Sequence, residues 1–316
     1  MQSDQTHPAI WCLLDSRPGH RNQVLGLADA IERQTKVDVQ HVNVSGVTNG
    51  ILSGFGRRTN LPLAKPALII GAGHSTHMPL LQLGKRFKAK TVVLMKPTFP
   101  AWCFDLCVVP DVYQWRNTSQ HVFLTNGVLN RITPSQNADA RRGLFLIGGP
   151  SDHHSWSDDL TTRQILEVMR KNSDTRWVVA TSRRTPDSFV EMIQQQSTNP
   201  DIVTPDSVDS QWLPEQFGKS GTAWVTEDSV SMMYEAVTSG AKTGVIELPR
   251  TRTNRATQCV DRLLASKNVT SWTEWKRTNQ LHESPERLSE ADRCATEILN
   301  RGWFEQHSQA MNEIAA

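Results

Sequence analysis

The sequence predicts an α/β protein made of two Rossmann-like domains that face each other across a cleft, with a C-terminal helix. Two observations carry this reading. Short apolar runs of strand length alternate with longer amphipathic stretches along nearly the whole chain, and that alternation predicts largely parallel sheets covered by helices on both faces. One polar segment, residues 133–142, breaks the rhythm before it begins again, and 316 residues are enough for about two hydrophobic cores.

In the first half, residues 10–14 read as a buried strand and residues 37–44 alternate. Further strands are expected at 67–70, 91–95, 106–109 and 122–124. Residues 21–34 and 78–87 have helical spacing, and Leu25, Leu27, Ala28 and Ile31 supply one apolar face of the earlier helix. Residues 133–142 begin Thr-Pro-Ser, lack an apolar period and read as a linker. The second half offers strands at 144–147, 177–180, 202–203, 223–226 and 244–248. Between them, helices are expected at 158–171, 186–196, 211–218, 230–239 and 254–266. A last helix, 285–300, can pack on either half. The predicted division is a domain over 1–132, a linker over 133–142, a domain over 143–284, and a helix and tail over 285–316.

Lys and Arg number 34 against 32 Asp and Glu, a net charge of +2, too balanced for a dedicated nucleic-acid binder. Hydrophobic residues make up 38% and charged residues 21%, the composition of a soluble globular protein. The five cysteines are odd in number and scattered, so they read as structural thiols of a reducing cytosol. The N-terminus has no basic n-region, and its first apolar run, residues 9–14, is too short for a signal-peptide core. No run reaches the ~18 apolar residues of a membrane span. The expectation is a cytoplasmic protein, with peripheral contact on the inner face of the cytoplasmic membrane left open. The ten tryptophans read as core and cleft-wall packing. Trp272 and Trp275 do lie near Lys276 and Arg277, but the cluster is too small for a nucleic-acid stripe.

Open α/β sheets bind ligands at the carboxyl ends of their strands, so the residues after each predicted strand are candidates. After the first comes Asp15-Ser16-Arg17-Pro18-Gly19-His20-Arg21-Asn22-Gln23. Gly19 permits a tight turn, Pro18 fixes its start, and His20 can act as a base or hold a sugar hydroxyl. The same residues would also make a capped surface turn. Gly71-Ala72-Gly73-His74-Ser75-Thr76-His77 lacks the full dinucleotide pattern and reads as a substrate loop. Lys96, in Lys96-Pro97-Thr98, either meets an anionic acceptor or is simply solvated. In the second half, Gly148 and Gly149 allow a phosphate close to the backbone, and Ser151 can donate to it. Asp152-His153-His154 follows, and adjacent histidine side chains diverge, which disfavours a metal. Thr181, Ser182, Arg183 and Arg184 suit a diphosphate or a carboxylate, or form a solvent-facing helix start. Asp228 or Ser229 can cap a helix and leave amides for a phosphate, while Glu235 shares a face with Ser231 and can accept both hydroxyls of a ribose.

The series Thr226-Glu227-Asp228-Ser229-Val230-Ser231-Met232, then Glu235, a turn at Ser239-Gly240, a strand and Leu248-Pro249 resembles the C-terminal domain of GT-B glycosyltransferases. It is similar in particular to the nucleotide-sugar half of the lipid-linked murein N-acetylglucosaminyl transferase type. The loop from Asp15 to Gln23, with Gly148-Gly149-Pro150-Ser151, resembles the bacterial relatives of the plant mitochondrial-fission Elm family, a likeness running from about residue 10 to about residue 301. The resemblance implies a GT-B-like fold with a donor nucleotide in the C-terminal domain. Glu235 would hold the ribose, and Gly148, Gly149, Ser229 and Ser231 the phosphates. Ser151, Thr181, Ser182, Arg183, Asp228 and Met232 would complete the donor site. The base would come from the N-terminal loops, as His20 with Asp15. Ser16, Arg17, Gly19, Asn22, Gln23, Gly73, His74 and Lys96 would meet the acceptor. The N-terminal loop lacks the glycine run of the murein transferase, so acceptor identity does not carry over.

The resulting expectation is inverting sugar transfer from a nucleotide sugar, which is substrate and not cofactor, to a glycan or lipid-linked acceptor of the cell envelope. Neither a metal nor a nucleic acid is expected to take part. One alternative is a sugar-nucleotide epimerase using Glu227 and Asp228. The other is a non-catalytic adaptor of the same fold working at membranes.

Overall fold

The computed structural model describes residues 7–45, 61–116, 119–196, 201–305 and 307. The chain divides into two units, one of Met1–Arg131 with Glu290–Ala316, the other of Ile132–Ser289.

The first unit is built on a six-stranded parallel sheet in the order β2-β1-β3-β4-β5-β6. Its strands are β1 (Ala9–Leu14), β2 (Asp38–Asn43), β3 (Pro66–Ala72), β4 (Lys90–Leu94), β5 (Leu106–Pro110) and β6 (Val122–Thr125). The apolar run of β1 is continuous because both faces are buried, and alternate side chains enter different cores. Ile10, Cys12 and Leu14 pack with Leu27 and Ile31 of α1 (Pro18–Gln34). Trp11 and Leu13 pack with Leu80 and Leu83 of α2 (His77–Phe87).

Helix α1 begins at Pro18, three positions before its predicted start at residue 21. Proline is well suited to the first helical position, since its fixed φ is helical and its missing N–H would have no partner there. Gly19 therefore lies in the first helical turn and not in a tight turn, and space beside it is open.

The last helix joins this first unit. It starts at Glu290, later than the predicted residue 285. Ala291, Cys294, Ala295 and Ile298 enter the core beside α1. An Arg33–Asp292 ion pair of 2.6 Å and a Thr296 Oγ1 to Gln34 Oε1 hydrogen bond of 3.0 Å tie the two helices at the surface.

The second unit carries another six-stranded parallel sheet, ordered β12-β11-β10-β7-β8-β9. Its strands are β7 (Asp139–Ile147), β8 (Arg176–Thr181), β9 (Asp201–Val203), β10 (Ser220–Thr226), β11 (Lys242–Ile246) and β12 (Thr270–Ser271). The helices are α3 (Asp158–Lys171), α4 (Asp187–Gln196), α5 (Trp212–Lys219), α6 (Val230–Ser239), α7 (Arg255–Ala265), α8 (Trp272–Thr278) and, in the first unit, α9 (Glu290–Asn300).

Two predicted boundaries need correction. Residues 139–142 are the exposed start of β7 and not linker. Asp139 pairs with Ser220 and Arg142 with Arg176 through the backbone ladder, which needs no apolar side chains. The strand expected at 244–248 is instead Lys242–Ile246. The short β12 and α8 had no forecast. In α8, Trp275 packs edge-on against Trp224 with ring centroids 5.1 Å apart, so the tryptophan cluster is core. Among the described residues no helix is long and apolar enough to cross a membrane.

Candidate functional site

In the first unit, the turns after β1, β3 and β4 bring several predicted residues together. Asp15 leaves β1 and His20 lies in the first turn of α1, and His20 Nδ1 meets Asp15 Oδ2 at 2.8 Å. The same oxygen accepts from Ser75 Oγ at 2.9 Å, and Asp15 Oδ1 accepts from the Arg17 N–H at 3.0 Å. Burial raises the Asp15 pKa, but bonds from His20, Arg17 and Ser75 outweigh it and hold the carboxyl below its ordinary value.

Gly73 has φ +80°, and a Cβ there would lie 2.2 Å from His20 Cε1. Glycine is thus required twice, by the left-handed backbone and by the imidazole seated against it. His74 Nδ1 meets Thr98 Oγ1 at 3.0 Å, and the His74 and His77 rings stand edge to face at 5.7 Å. His77 is buried, and desolvation together with the neighbouring His74 lowers its pKa.

Other predicted acceptor residues are less involved. Lys96 is exposed with Nζ 5.9 Å from the Trp115 ring centroid. Gln23 is buried and its amide donates back to the Gly19 carbonyl at 3.4 Å. Ser16 and Arg17 are exposed at the turn, and Asn22 is half-buried one helical position before Gln23.

In the second unit, the glycine turn after β7 meets the segment between β10 and α6. The Gly148 N–H donates to Thr226 Oγ1 at 2.7 Å and the Gly149 N–H to Asp228 Oδ2 at 3.1 Å. Both amides are thus engaged within the protein, beside the turn where a phosphate was expected to come close to the backbone. Close packing within the protein also calls for glycine here. A Cβ on Gly148 would lie 2.2 Å from Asp228 Oδ2, and one on Gly149 would lie 2.1 Å from the Arg184 carbonyl oxygen.

Asp228, fully buried, also pairs with Arg184 Nη2 at 2.7 Å. Its side chain does not cap α6. Ser229 holds the N-cap position but makes no side-chain cap bond, so the first-turn amides of α6 take no cap from its hydroxyl. Ser231 Oγ donates to Glu235 Oε1 at 3.4 Å on the shared helix face, and Met232 is half-buried beside them.

Three more predicted donor groups are engaged by backbone atoms. Thr181 Oγ1 donates to the Val203 carbonyl, Ser182 Oγ to the Gly148 carbonyl, and Ser151 Oγ accepts from the His154 N–H. Arg183 is exposed, and its guanidinium has no partner among the described residues.

Glu227 pairs with Arg250, whose Nε lies 2.6 Å from Oε1, and faces buried His154 at 3.6 Å. Burial pushes its carboxyl up, yet His154, Arg250 and the Leu248 N–H prevail and lower it. Both carboxylates that an epimerase reading needs are thus occupied in ion pairs. Sequence reasoning left out Ser75, Thr98, His154 and Arg250 as site members. The first three fall in turns it had singled out, whereas Arg250 follows β11 with no pattern to mark it. Among the described residues, no group of three or more His, Cys, Asp or Glu side chains could hold a metal ion.

Two all-parallel sheets, each wrapped in helices and each with its polar cluster at the carboxyl ends of its strands, make a GT-B-like fold. The chain belongs to the mitochondrial fission ELM1 family, whose model matches residues 18–302. Several solved structures share its fold. S. aureus MnaA, solved with UDP, is 12% identical with TM-score 0.51, the match covering 95% of this chain and 97% of that one. A Listeria monocytogenes protein assigned as a UDP-N-acetylglucosamine 2-epimerase is 12% identical with TM-score 0.53, covering 93% and 96%. Another UDP-N-acetylglucosamine 2-epimerase is 12% identical with TM-score 0.51, covering 93% and 95%. No curated protein matches the chain significantly.

Proposed function

We propose that this protein is a metal-independent, inverting glycosyltransferase that moves a sugar from a nucleotide donor to a hydroxyl of a glycan or lipid-linked acceptor. The observation that carries the reading is the Asp15–His20 pair, with Nδ1 and Oδ2 2.8 Å apart at a strand end. A carboxylate on Nδ1 fixes the tautomer and leaves Nε2 to accept a proton. In the proposed step the acceptor oxygen bonds to the anomeric carbon and its proton passes to His20 Nε2. The bond from that carbon to the diphosphate oxygen breaks, and its electron pair leaves with the nucleotide.

The donor belongs to the second unit in this reading. The uncapped start of α6 would meet a phosphate, Arg183 would add a free positive charge, and Glu235 would take the ribose hydroxyls. The support for this half is the absent side-chain cap bond at Ser229 and the Arg183 guanidinium, which has no partner among the described residues.

The test is a thermal-shift screen of UDP, TDP, GDP and UDP-sugars, with and without EDTA, followed by nucleotide-release assays. A ligand at 100 times its dissociation constant stabilises by about 2.7 kcal/mol. His20→Ala should keep donor binding and lose turnover by about 10²–10⁴-fold. A folded variant with full rate would remove His20 from the mechanism, loss of binding in EDTA would overturn the metal-free reading, and no nucleotide binding at all would favour the adaptor.

A further inference from the structure

A cavity of about 340 Å³ opens in the second unit at the amino ends of the strands, the opposite edge of the sheet from Gly148 and Ser229. Trp177, Trp224 and Trp275 line its apolar side. Two glycines make room for this aromatic wall. A Cβ on Gly143 would lie 2.2 Å from the Trp177 ring, and one on Gly244 would lie 2.4 Å from the Trp224 ring. The other side of the cavity is polar. The side chains of Thr175, Thr222 and Gln280 line it and have no hydrogen-bond partner among the described residues. Asn279 has its Oδ1 taken by Lys171 Nζ at 2.6 Å, which aims no partner at its amide nitrogen.

We propose that this cavity is a binding site for one neutral saccharide unit. Its volume lies within the range of small-ligand sites, roughly 300–1,000 Å³. Both cations beside the cavity have a carboxylate partner, Lys242 with Glu283 at 2.9 Å and Lys171 with Glu167 at 3.5 Å, so neither is offered unpaired to an anionic ligand. The free groups are hydroxyls and amides, which both donate and accept and so match the alternating demands of vicinal sugar hydroxyls. Trp177 and Trp275 retain only 9% and 3% of their surface. That narrow strip suits the few C–H groups along one edge of a pyranose, whereas a planar base would find no open face on which to stack. The site is independent of the transfer chemistry proposed above, because it rests on other residues at the other edge of the sheet.

The experiment follows the tryptophan indole N–H signals of the full chain by NMR, with Trp177→Phe identifying the Trp177 signal. The probes are glucose, N-acetylglucosamine and their β-1,4-linked disaccharides, with UMP as the control. A saturable shift of the Trp177 signal, with a dissociation constant of about a millimolar, is expected for at least one sugar. Thr222→Val with Gln280→Ala should weaken that binding by about tenfold or more. If the double variant does not fold, exposed Gln280→Ala alone carries the comparison. No saturable shift with any of the sugars, an equal response to UMP, or unchanged affinity in the folded variant would overturn the proposal.

Discussion

Asp15 offers a measurable sign of its partners. Its pKa in the folded chain is below its ordinary value, so it contributes stability above the unfolded carboxyl pKa and loses it as pH falls through the folded one. Asp15→Asn removes that contribution. The difference in melting temperature between wild type and variant should therefore be largest near neutrality and shrink towards about pH 3. A difference independent of pH would mean the carboxylate's bonds to His20 and Ser75 are not formed in solution. At the donor half, Glu235→Ala should weaken nucleotide binding by about 1–3 kcal/mol by calorimetry, with circular dichroism unchanged. Unaltered affinity would cancel the ribose assignment. Asp15 and His20 were legible as partners because five positions of one turn leave little choice of neighbour. Gly148 and Gly149 were legible as points of close approach, but a glycine reports that something comes close to the backbone and not what it is. Here the visitors are a carboxylate and a carbonyl of the protein itself.

At the level of elements, two helix starts make a contrast. Asn254 caps α7 in a full capping box, accepting from Ala256 N at 2.8 Å while Thr257 Oγ1 accepts from the Asn254 N–H at 3.0 Å. Ser229 begins α6 with no such bond. Asn254→Ala should destabilise the protein by about 0.5–2 kcal/mol in denaturant unfolding, whereas Ser229→Ala should cost little stability and show its effect in ligand binding. Equal losses at both positions would refute the uncapped reading of α6. The strands and long helices of both sheets were readable because burial on two faces writes continuous apolar runs, and amphipathic helices write a 3.6-residue period. The start of β7 was unreadable for the opposite reason, since Asp139, Ala140 and Arg141 are exposed and only their backbone is in the ladder. The two-residue β12 is too short to show any period, and the apolar content of the seven-residue α8 is two tryptophans.

For the whole molecule, the decisive feature is the return of α9 to the unit where the chain began. Deleting residues 290–316 would strip Ala291, Cys294, Ala295, Ile298, Trp303 and Phe304 from the first core. Such a truncation should cost more than 4–5 kcal/mol, roughly the range reserved for gross core damage, and should leave the second unit folded. Proteolysis with mass spectrometry would then cut within residues 1–131 and spare 132–289. Protection of both would show that α9 is dispensable.

The same return sets an order of assembly. On the ribosome the second unit is contiguous and has its whole sheet once Ser289 has emerged. The first unit is synthesised earlier but waits for its last helix, at about 5–20 residues per second, with the part of its α1-side core that α9 fills left open in the meantime. The Asp15–His20 pair, written among the first residues of the chain, is thus carried on a unit whose core is among the last parts to be closed.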